Sequence, residues 1–262
     1  MSDNAPRLLN LGCGLCHHPA WVNVDFRQTG PGVLAHDLAR GVPFEDASFD
    51  AVYHSHLLEH FHASTVPFFL AECRRVLKPG GILRVAVPDL EAMARMYLKR
   101  LDKALDGDPA AAAQYDWILL EMLDQMARVY PGGRMFRYFL QNPMPAETFV
   151  LARAGAEARD TVARLRDPAN AADVREIVPI DERELDPADI GAFRASGEVH
   201  QWMYDRFSLG RLLYGAGFEE VRVVKADESA IPGFAGYGLD VEPGGKVRKP
   251  DSLFMEGVRP EK

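Results

Sequence analysis

A surplus of positive charge is missing from this sequence, whose 262 residues carry 30 Lys and Arg against 38 Asp and Glu, a formal net charge of -8. Binding a polyanion releases counterions only where basic groups cluster, so nucleic acid and anionic membrane surfaces are not expected partners. No apolar run comes near the roughly 20 residues that cross a bilayer, and Met1 to Arg7 lacks the cationic stretch and apolar segment of a signal peptide. Membrane insertion is therefore not expected, and the cytoplasm is the expected location. Cysteine is scarce: Cys13, Cys16 and Cys73 are odd in number, which argues against a disulfide framework. What is present is ordinary, with 47% hydrophobic and 26% charged residues, enough for a full core.

The first part of the chain alternates apolar runs with helical patterns. Arg7 to Leu11 ends in Gly12-Cys13-Gly14, and Trp21 to Val24 ends in Asp25. Phe49 to His54 follows the Val42-Pro43-Phe44 loop, and Gly81 to Val87 follows the turn Lys78-Pro79-Gly80. Each reads as a buried parallel strand. Between the last two, Val66 to Leu77 sets Phe69, Leu70, Cys73, Val76 and Leu77 on one helical face. Strands alternating with helices predict an α/β fold with a mostly parallel, Rossmann-like sheet. Only Leu15 to Ala20 separates the first two strands, so the first helix is shortened or absent.

From Asp89 to about Ser196 the pattern is helical. Leu119, Met122, Leu123 and Met126 form one apolar stripe, and Phe149, Ala152, Ala156 and Ala163 a weaker one; both predict buried faces of a helical layer. Pro143 and Pro145 punctuate two helices, and the charged, proline-bearing segment from Asp167 to Asp189 reads as irregular connection. Order returns with a helix from Asp205 to Tyr214, a strand at Glu220 to Val224 and an antiparallel last strand at Ser252 to Val258. The expected organisation is a core over 1–102, a helical insertion or cap over 103–199 and a return to the sheet over 200–262.

Glycines at the end of a first parallel strand let backbone amides approach a ligand, at the place where open α/β sheets hold their cofactors. Gly12-Cys13-Gly14 would serve a nicotinamide dinucleotide as well, but that fingerprint asks for a further glycine where His17 stands. Asp25 is placed to accept hydrogen bonds from two ribose hydroxyls, which an ionised carboxylate does bidentately. Asp37-Leu38 could bracket an adenine edge with a carboxylate and a backbone amide; a turn or capping aspartate is the plainer reading. Cys13 to His17 also has the spacing of a haem attachment site, and the Cys-x-x-Cys pair that of a zinc site. Haem attachment would require export, and zinc two more well-spaced ligands, so no metal is expected.

Taken in order, Leu9 to Gly14, Val22 to Asp25, Pro43-Phe44 through Ser48 to Val52, Leu58-Glu59-His60, and Arg75 to Gly81 strongly resemble the class I S-adenosyl-L-methionine (SAM) dependent methyltransferases. The resemblance covers about the first ninety residues and resumes from Phe207-Ser208-Leu209 to Gly217-Phe218 and the last strand. Pro88-Asp89-Leu90, His200 to Asp205 and Lys249 to Phe254 look like a bacterial subgroup of predicted methyltransferases, some linked to surface-polysaccharide or natural-product pathways. The resemblance implies SAM as cofactor, held by Asn10, Gly12, Cys13, Gly14, His17, Asp25, Asp37, Leu38 and His54. Cys16 takes the family's third small-residue place, and His17, His18 and Trp21 become candidates for contacts that the missing helix would supply. The implied reaction is biosynthetic methyl transfer to oxygen or nitrogen of a small-molecule acceptor, such as a sugar or natural-product intermediate. The rivals are a same-fold enzyme using SAM for cyclisation or aminocarboxypropyl transfer, and a non-catalytic SAM-binding subunit; a nicotinamide dehydrogenase comes last.

If the acceptor is a hydroxyl, a histidine can take its proton. His200 is the first candidate, because Trp202 and Tyr204 could wall a pocket beside it; His56 and Tyr204 follow. His60 fits better as scaffold packing. The inserted helices, with Tyr115, Trp117, Tyr130, Met135, Phe136 and Tyr138, could cap the cofactor and form the acceptor wall, or equally a homodimer interface.

Overall fold

The computed structural model describes residues 6–170 and 182–261. The apolar runs become β1 (Leu8–Leu11), β2 (Trp21–Asp25), β4 (Phe49–Ser55) and β5 (Leu77–Pro88), joined by a short β3 (Val33–Ala35) and by β6 (Glu219–Val224) and β7 (Ser252–Val258). They form one seven-stranded sheet in the order β3-β2-β1-β4-β5-β7-β6. The five strands from β3 to β5 run parallel, and β7 is antiparallel to both of its neighbours. This is the Rossmann-like α/β sheet with its antiparallel last strand. The sequence pattern did not show β3, because only Val33 of its three residues is buried. No helix separates β1 from β2; tight turns closed by Cys16 N–H to the Cys13 carbonyl and Trp21 N–H to the His18 carbonyl take its place.

Alternation along the strands divides the core. Leu9, Leu11, Val52, Leu83 and Val85 pack with Phe69, Leu70, Cys73 and Val76 of α1 (Val66–Val76). Leu8, Ala51 and Tyr53 pack instead with Trp21, Phe234 and Leu239. The helix α7 (Arg206–Gly215) adds Leu209 and Leu213 to the first cluster. Asp205 caps it, accepting the N–H groups of Phe207 at 3.0 Å and Ser208 at 2.7 Å, while the Ser208 hydroxyl accepts the Asp205 N–H. Asp205→Ala should cost about 1 kcal/mol of stability, with Asp205→Ser costing less; equilibrium urea unfolding checks this, and an unchanged midpoint would refute it.

The chain divides into two compact units. One runs to Asp89 and resumes over Trp202–Val247 and from Ser252; the other is Leu90–Gln201 with Arg248–Asp251. The helical part thus starts at Leu90 and not at 103, because α2 (Leu90–Leu105) packs on α3 (Pro109–Ala127). The sheet unit is re-entered at Trp202 and not at 200, and Arg248–Asp251 joins the helices because the Arg248 carbonyl accepts the Ala156 N–H at 2.8 Å.

Both apolar stripes in the helical unit need correction. On α3 the buried side chains are Trp117, Ile118, Glu121 and Asp124, while Leu119 and Leu123 are exposed. Polar groups are buried there because each is used: Trp117 Nε1 and Arg153 Nε donate to Glu121, and Asp124 accepts the N–H groups of Arg134 and Met135 at the start of α4 (Gly133–Phe139). On α5 (Glu147–Arg166) Val150, Ala156, Ala158, Val162 and Leu165 are buried, whereas Ala152 and Ala163 are exposed. Gly155 breaks this helix at φ 72, ψ -144, so a single helical phase does not run through it.

Pro143 and Pro145 do fall between α4 and α5. The segment expected to be irregular from Asp167 is helical again by α6 (Pro187–Arg194), where Pro187 stands in the first turn and Asp186 caps the Ala188 N–H. Pro179 and the rest of 171–181 lie outside the described residues.

Candidate functional site

The chain leaves β1 toward β2 on one side and later returns as β4 on the other, so the carboxyl end of β1 is the switch point where such sheets bind ligands. Gly12 and Gly14 occupy it at φ 64 and φ 52, the left-handed region that L side chains resist. The two glycines serve differently. A Cβ on Gly12 would lie 2.8 Å from a Leu57 methyl, so Gly12 lets the loop after β4 close on the loop after β1. A Cβ on Gly14 would meet nothing within 4 Å, which leaves open space over the loop.

Asp25, at the end of β2, accepts the Gly14 N–H through Oδ2 at 2.8 Å and the Arg27 N–H through Oδ1 at 3.4 Å. The first bond holds the glycine loop against the acid; the second is long and leaves lone pairs for a ligand. Asn10 braces the loop from below, its amide donating to the Cys16 carbonyl and to Asn23 Oδ1. The Cys13 thiol lies 3.7 Å from the Gly14 carbonyl, and burial first, then the Asp25 charge, pushes it up to about 11. It is a neutral small residue of the loop. The His17 ring lies over Gly30, 2.7 Å from where a Cβ there would stand, and so packs against the loop after β2. Asn10, Gly12, Cys13, Gly14, His17 and Asp25 are therefore brought together.

Other expected contacts are placed elsewhere. Asp37 caps a 3-10 turn over Leu38–Arg40, accepting the Ala39 N–H at 3.1 Å and pairing with Arg40, and Leu38 is buried in the core. Its plainer reading as a capping residue accounts for this geometry. His54 is fully buried, edge-on to Phe69 of α1, and burial holds it down to about 3. Neither of its ring nitrogens has a hydrogen-bond partner among the described residues. It is a neutral core histidine, so its expected place against a cofactor is corrected. Trp21 is likewise packed among Tyr53, Phe234 and Tyr237; it begins β2 and so stands at the amino end of the strand, away from the ligand end. His18 meets Tyr237 edge-on.

Of the three candidate bases, Tyr204 is buried in the main core, bridging Asp89, and burial, then Glu59, pushes its phenol up to about 12. A phenol so held stays protonated, which argues against it as a base. His200 belongs to the helical unit, buried, with its N–H on the Gln125 carbonyl at the end of α3. Trp202 is exposed and belongs to the sheet unit. His56 stands in the sheet unit beside Leu57, the residue that closes on Gly12, and takes the left-handed φ 50. Its Nε2 is 2.7 Å from Ser252 Oγ and its Nδ1 3.6 Å from Glu59 Oε1. The sequence reading passed over Ser252 and saw Glu59 only as part of a family motif; the spacing between residues 59 and 252 gives no local signal.

A mostly parallel sheet with this strand order, a glycine-lined loop at its switch point and an acid at the next strand end is the Rossmann-like arrangement. More narrowly, residues 14–85 match the family profile described as "Methyltransferase domain". Over 118 residues the chain is 32% identical to a "Demethylmenaquinone methyltransferase" of Tropheryma whipplei (strain Twist), a match covering 42% of this chain and 44% of the relative. The chain thus spans less than half the length of the curated relatives it matches. Among solved structures, a SAM-dependent methyltransferase from Mesorhizobium loti aligns at 17% identity over 98% of this chain and 92% of that one, with a TM-score of 0.41. A methyltransferase from Thermotoga maritima, described as a possible histamine N-methyltransferase, aligns at 14% identity over 98% and 83% of the two chains, with a TM-score of 0.39. No helix among the described residues is long and apolar enough to cross a membrane.

Proposed function

We propose that this chain is a SAM-dependent methyltransferase acting on a hydroxyl of a small-molecule acceptor. The reading rests above all on Gly14 and Asp25 meeting at the switch point, with the methyltransferase-domain match beginning at Gly14. The residues present suit the nucleoside: open space lies over Gly14, and Asp25 keeps acceptor capacity beyond the loop. Asp25 would hold the ribose hydroxyls, while Gly12, Cys13 and Gly14 would carry the backbone along the methionine side. When bound, SAM would supply an electrophilic methyl group for the acceptor oxygen, leaving S-adenosylhomocysteine as the product.

The protein's own work is then to hold the acceptor in line and to remove its proton, with positioning contributing as much as about 7–11 kcal/mol in favourable systems. His56 is the base this reading favours, since its imidazole is partly exposed and the next residue, Leu57, closes on Gly12. A sugar or natural-product intermediate fits such a hydroxyl acceptor; the relatives' name points instead to a quinone ring carbon, and methylation of demethylmenaquinone in the same screen would replace the hydroxyl reading with carbon methylation.

Incubation with SAM tests the reaction class. S-adenosylhomocysteine should accumulate only when an acceptor is supplied. Methylthioadenosine released from SAM alone would reject methyl transfer in favour of aminocarboxypropyl or ring-closing chemistry. Calorimetry that found no binding of SAM or S-adenosylhomocysteine to the folded protein would reject the cofactor itself.

A further inference from the structure

We propose that Ser252, His56 and Glu59 form a proton relay in which Ser252 takes the acceptor's proton, His56 takes that of Ser252, and Glu59 positions the imidazole. The inference deepens the methyl-transfer reading and rests on it. It starts from three side chains that the sequence separates widely and the sheet brings together.

His56 follows β4 and Ser252 opens β7, where Ser252 pairs with Pro88 at the carboxyl end of β5. The site therefore lies at the ligand end of the sheet, and Leu57 links it directly to Gly12. The His56 N–H is fixed on the Ala86 carbonyl at 2.9 Å.

Three observations give the array its chemistry. The Ser252 hydroxyl is 2.7 Å from Nε2, the distance of a strong O–H to N bond. The opposite nitrogen, Nδ1, lies 3.6 Å from the wholly buried Glu59 carboxylate, longer than a hydrogen bond but close enough to bias the ring electrostatically and to pair with it once it is protonated. A buried carboxylate on one ring nitrogen favours the tautomer protonated there, leaving the other nitrogen to accept. The His56 side chain keeps 14% of its surface exposed, so the array touches solvent on the imidazole side and is closed on the carboxylate side.

The backbone at His56 supports a built arrangement. A histidine at φ 50 is strained, and such strain persists where the surroundings over-determine it. A hydrogen bond needed only to tie β7 to the loop after β4 would not require that conformation, nor a carboxylate at the far side of the ring.

The proton balance is simple. As the acceptor oxygen gains its methyl group, its O–H bond breaks and the proton passes to Ser252 Oγ, whose own proton moves to His56 Nε2. The imidazolium so formed is stabilised by Glu59 and later returns its proton to solvent. Ser252 ends as it began, and Glu59 neither gains nor loses a proton.

The test combines nitrogen NMR of the imidazole with kinetics. In the wild-type protein without ligand, His56 should show Nδ1 protonated and Nε2 unprotonated, the signal being assigned with His56→Gln. Glu59→Gln should abolish that single tautomer and lower kcat by about a hundredfold or more, in line with general-base contributions, with KM for SAM and the affinity for S-adenosylhomocysteine within threefold of wild type. Glu59→Asp, the conservative variant, should restore part of both the tautomer and kcat, and covers the case in which Glu59→Gln fails to fold. Ser252→Ala should lower kcat by about tenfold or more without changing the tautomer.

Retention of the wild-type tautomer and kcat in folded Glu59 variants would overturn the relay, as would full kcat in Ser252→Ala. Loss of the methyl-transfer reading itself would appear differently, as failure of the wild type to bind SAM while its imidazole tautomer remained measurable.

Discussion

Asp25→Ala should weaken S-adenosylhomocysteine binding by about 3 kcal/mol, more than a hundredfold, because hydrogen bonds to an ionised group contribute about 1.5–3 kcal/mol each and the proposed site would engage two hydroxyls. The carboxylate has a second task, since Oδ2 holds the Gly14 N–H at 2.8 Å. Asp25→Asn keeps a carbonyl oxygen for that N–H but loses the charge, so it should fall between wild type and Asp25→Ala. The difference between the two variants separates loop support from ribose binding. Gly12→Ala should also impair binding, for a steric reason: an added Cβ would stand 2.8 Å from Leu57 at φ 64. Leu57→Ala should recover only the clash and leave the backbone strain, so the double variant should bind better than Gly12→Ala and worse than wild type. Isothermal calorimetry decides the set. Unaltered affinity in a folded Asp25→Ala protein would remove the acid from the cofactor site.

These residues were legible in the sequence because they lie at strand ends, where a short apolar run stops at glycine or an acid. The same local reading found β1, β2, β4, β5, β6 and β7, and it placed α1 almost to the residue. It failed wherever the deciding partner was remote or the periodicity was interrupted. His54 carries the chemistry of a ligand contact, but Phe69 of α1 covers it. Asp37 satisfies a backbone N–H two residues away, a use that competes with ligand binding at any loop aspartate. On α3, Leu119 and Leu123 suggested a buried face that Trp117, Glu121 and Asp124 occupy instead, because paired polar groups can be buried without an apolar signature. Gly155 reset the phase of α5 in a way that side-chain spacing alone does not register. The juxtaposition of His56 with Ser252 depends on β7 lying antiparallel to β5, a property of the assembled sheet.

Replacing Arg84 by Met should destabilise the protein by about 3–5 kcal/mol, the usual consequence of removing one member of a buried ionic group and leaving the others uncompensated. Arg84 lies on β5 with no side-chain exposure. Its Nε donates to Asp240, one terminal nitrogen to Glu256 and the Glu228 carbonyl, and the other to the carbonyls of Lys225 and Ala226. All five donors of the guanidinium are therefore used.

The acids have further donors. Tyr53 bonds Asp240 at 2.5 Å, and the Ser229 hydroxyl and Ala230 N–H bond Glu256 at 2.5 and 3.0 Å. Burial opposes ionisation of Glu256, but Ser229, Ala230 and Arg84 outweigh it and hold the carboxyl below its ordinary value. The stability it contributes is thus complete above the ordinary carboxylate range and is lost as pH falls through the lowered folded value. Arg84→Lys should not rescue the fold, because an ammonium offers three donors to acceptors set for five. Arg84→Met with Asp240→Leu and Glu256→Met should recover much of the loss, since apolar replacement of the whole group removes the unpaired charges.

Denaturant unfolding measures all three, and an Arg84→Met protein within about 1 kcal/mol of wild type would refute the clamp. The consequence reaches the ligand loop: Leu239, next to Asp240, accepts the Cys16 thiol through its carbonyl, and Cys16 in turn is held by Asn10. Loosening Arg84 should therefore raise amide exchange at Cys16 and Leu239 before the sheet itself opens.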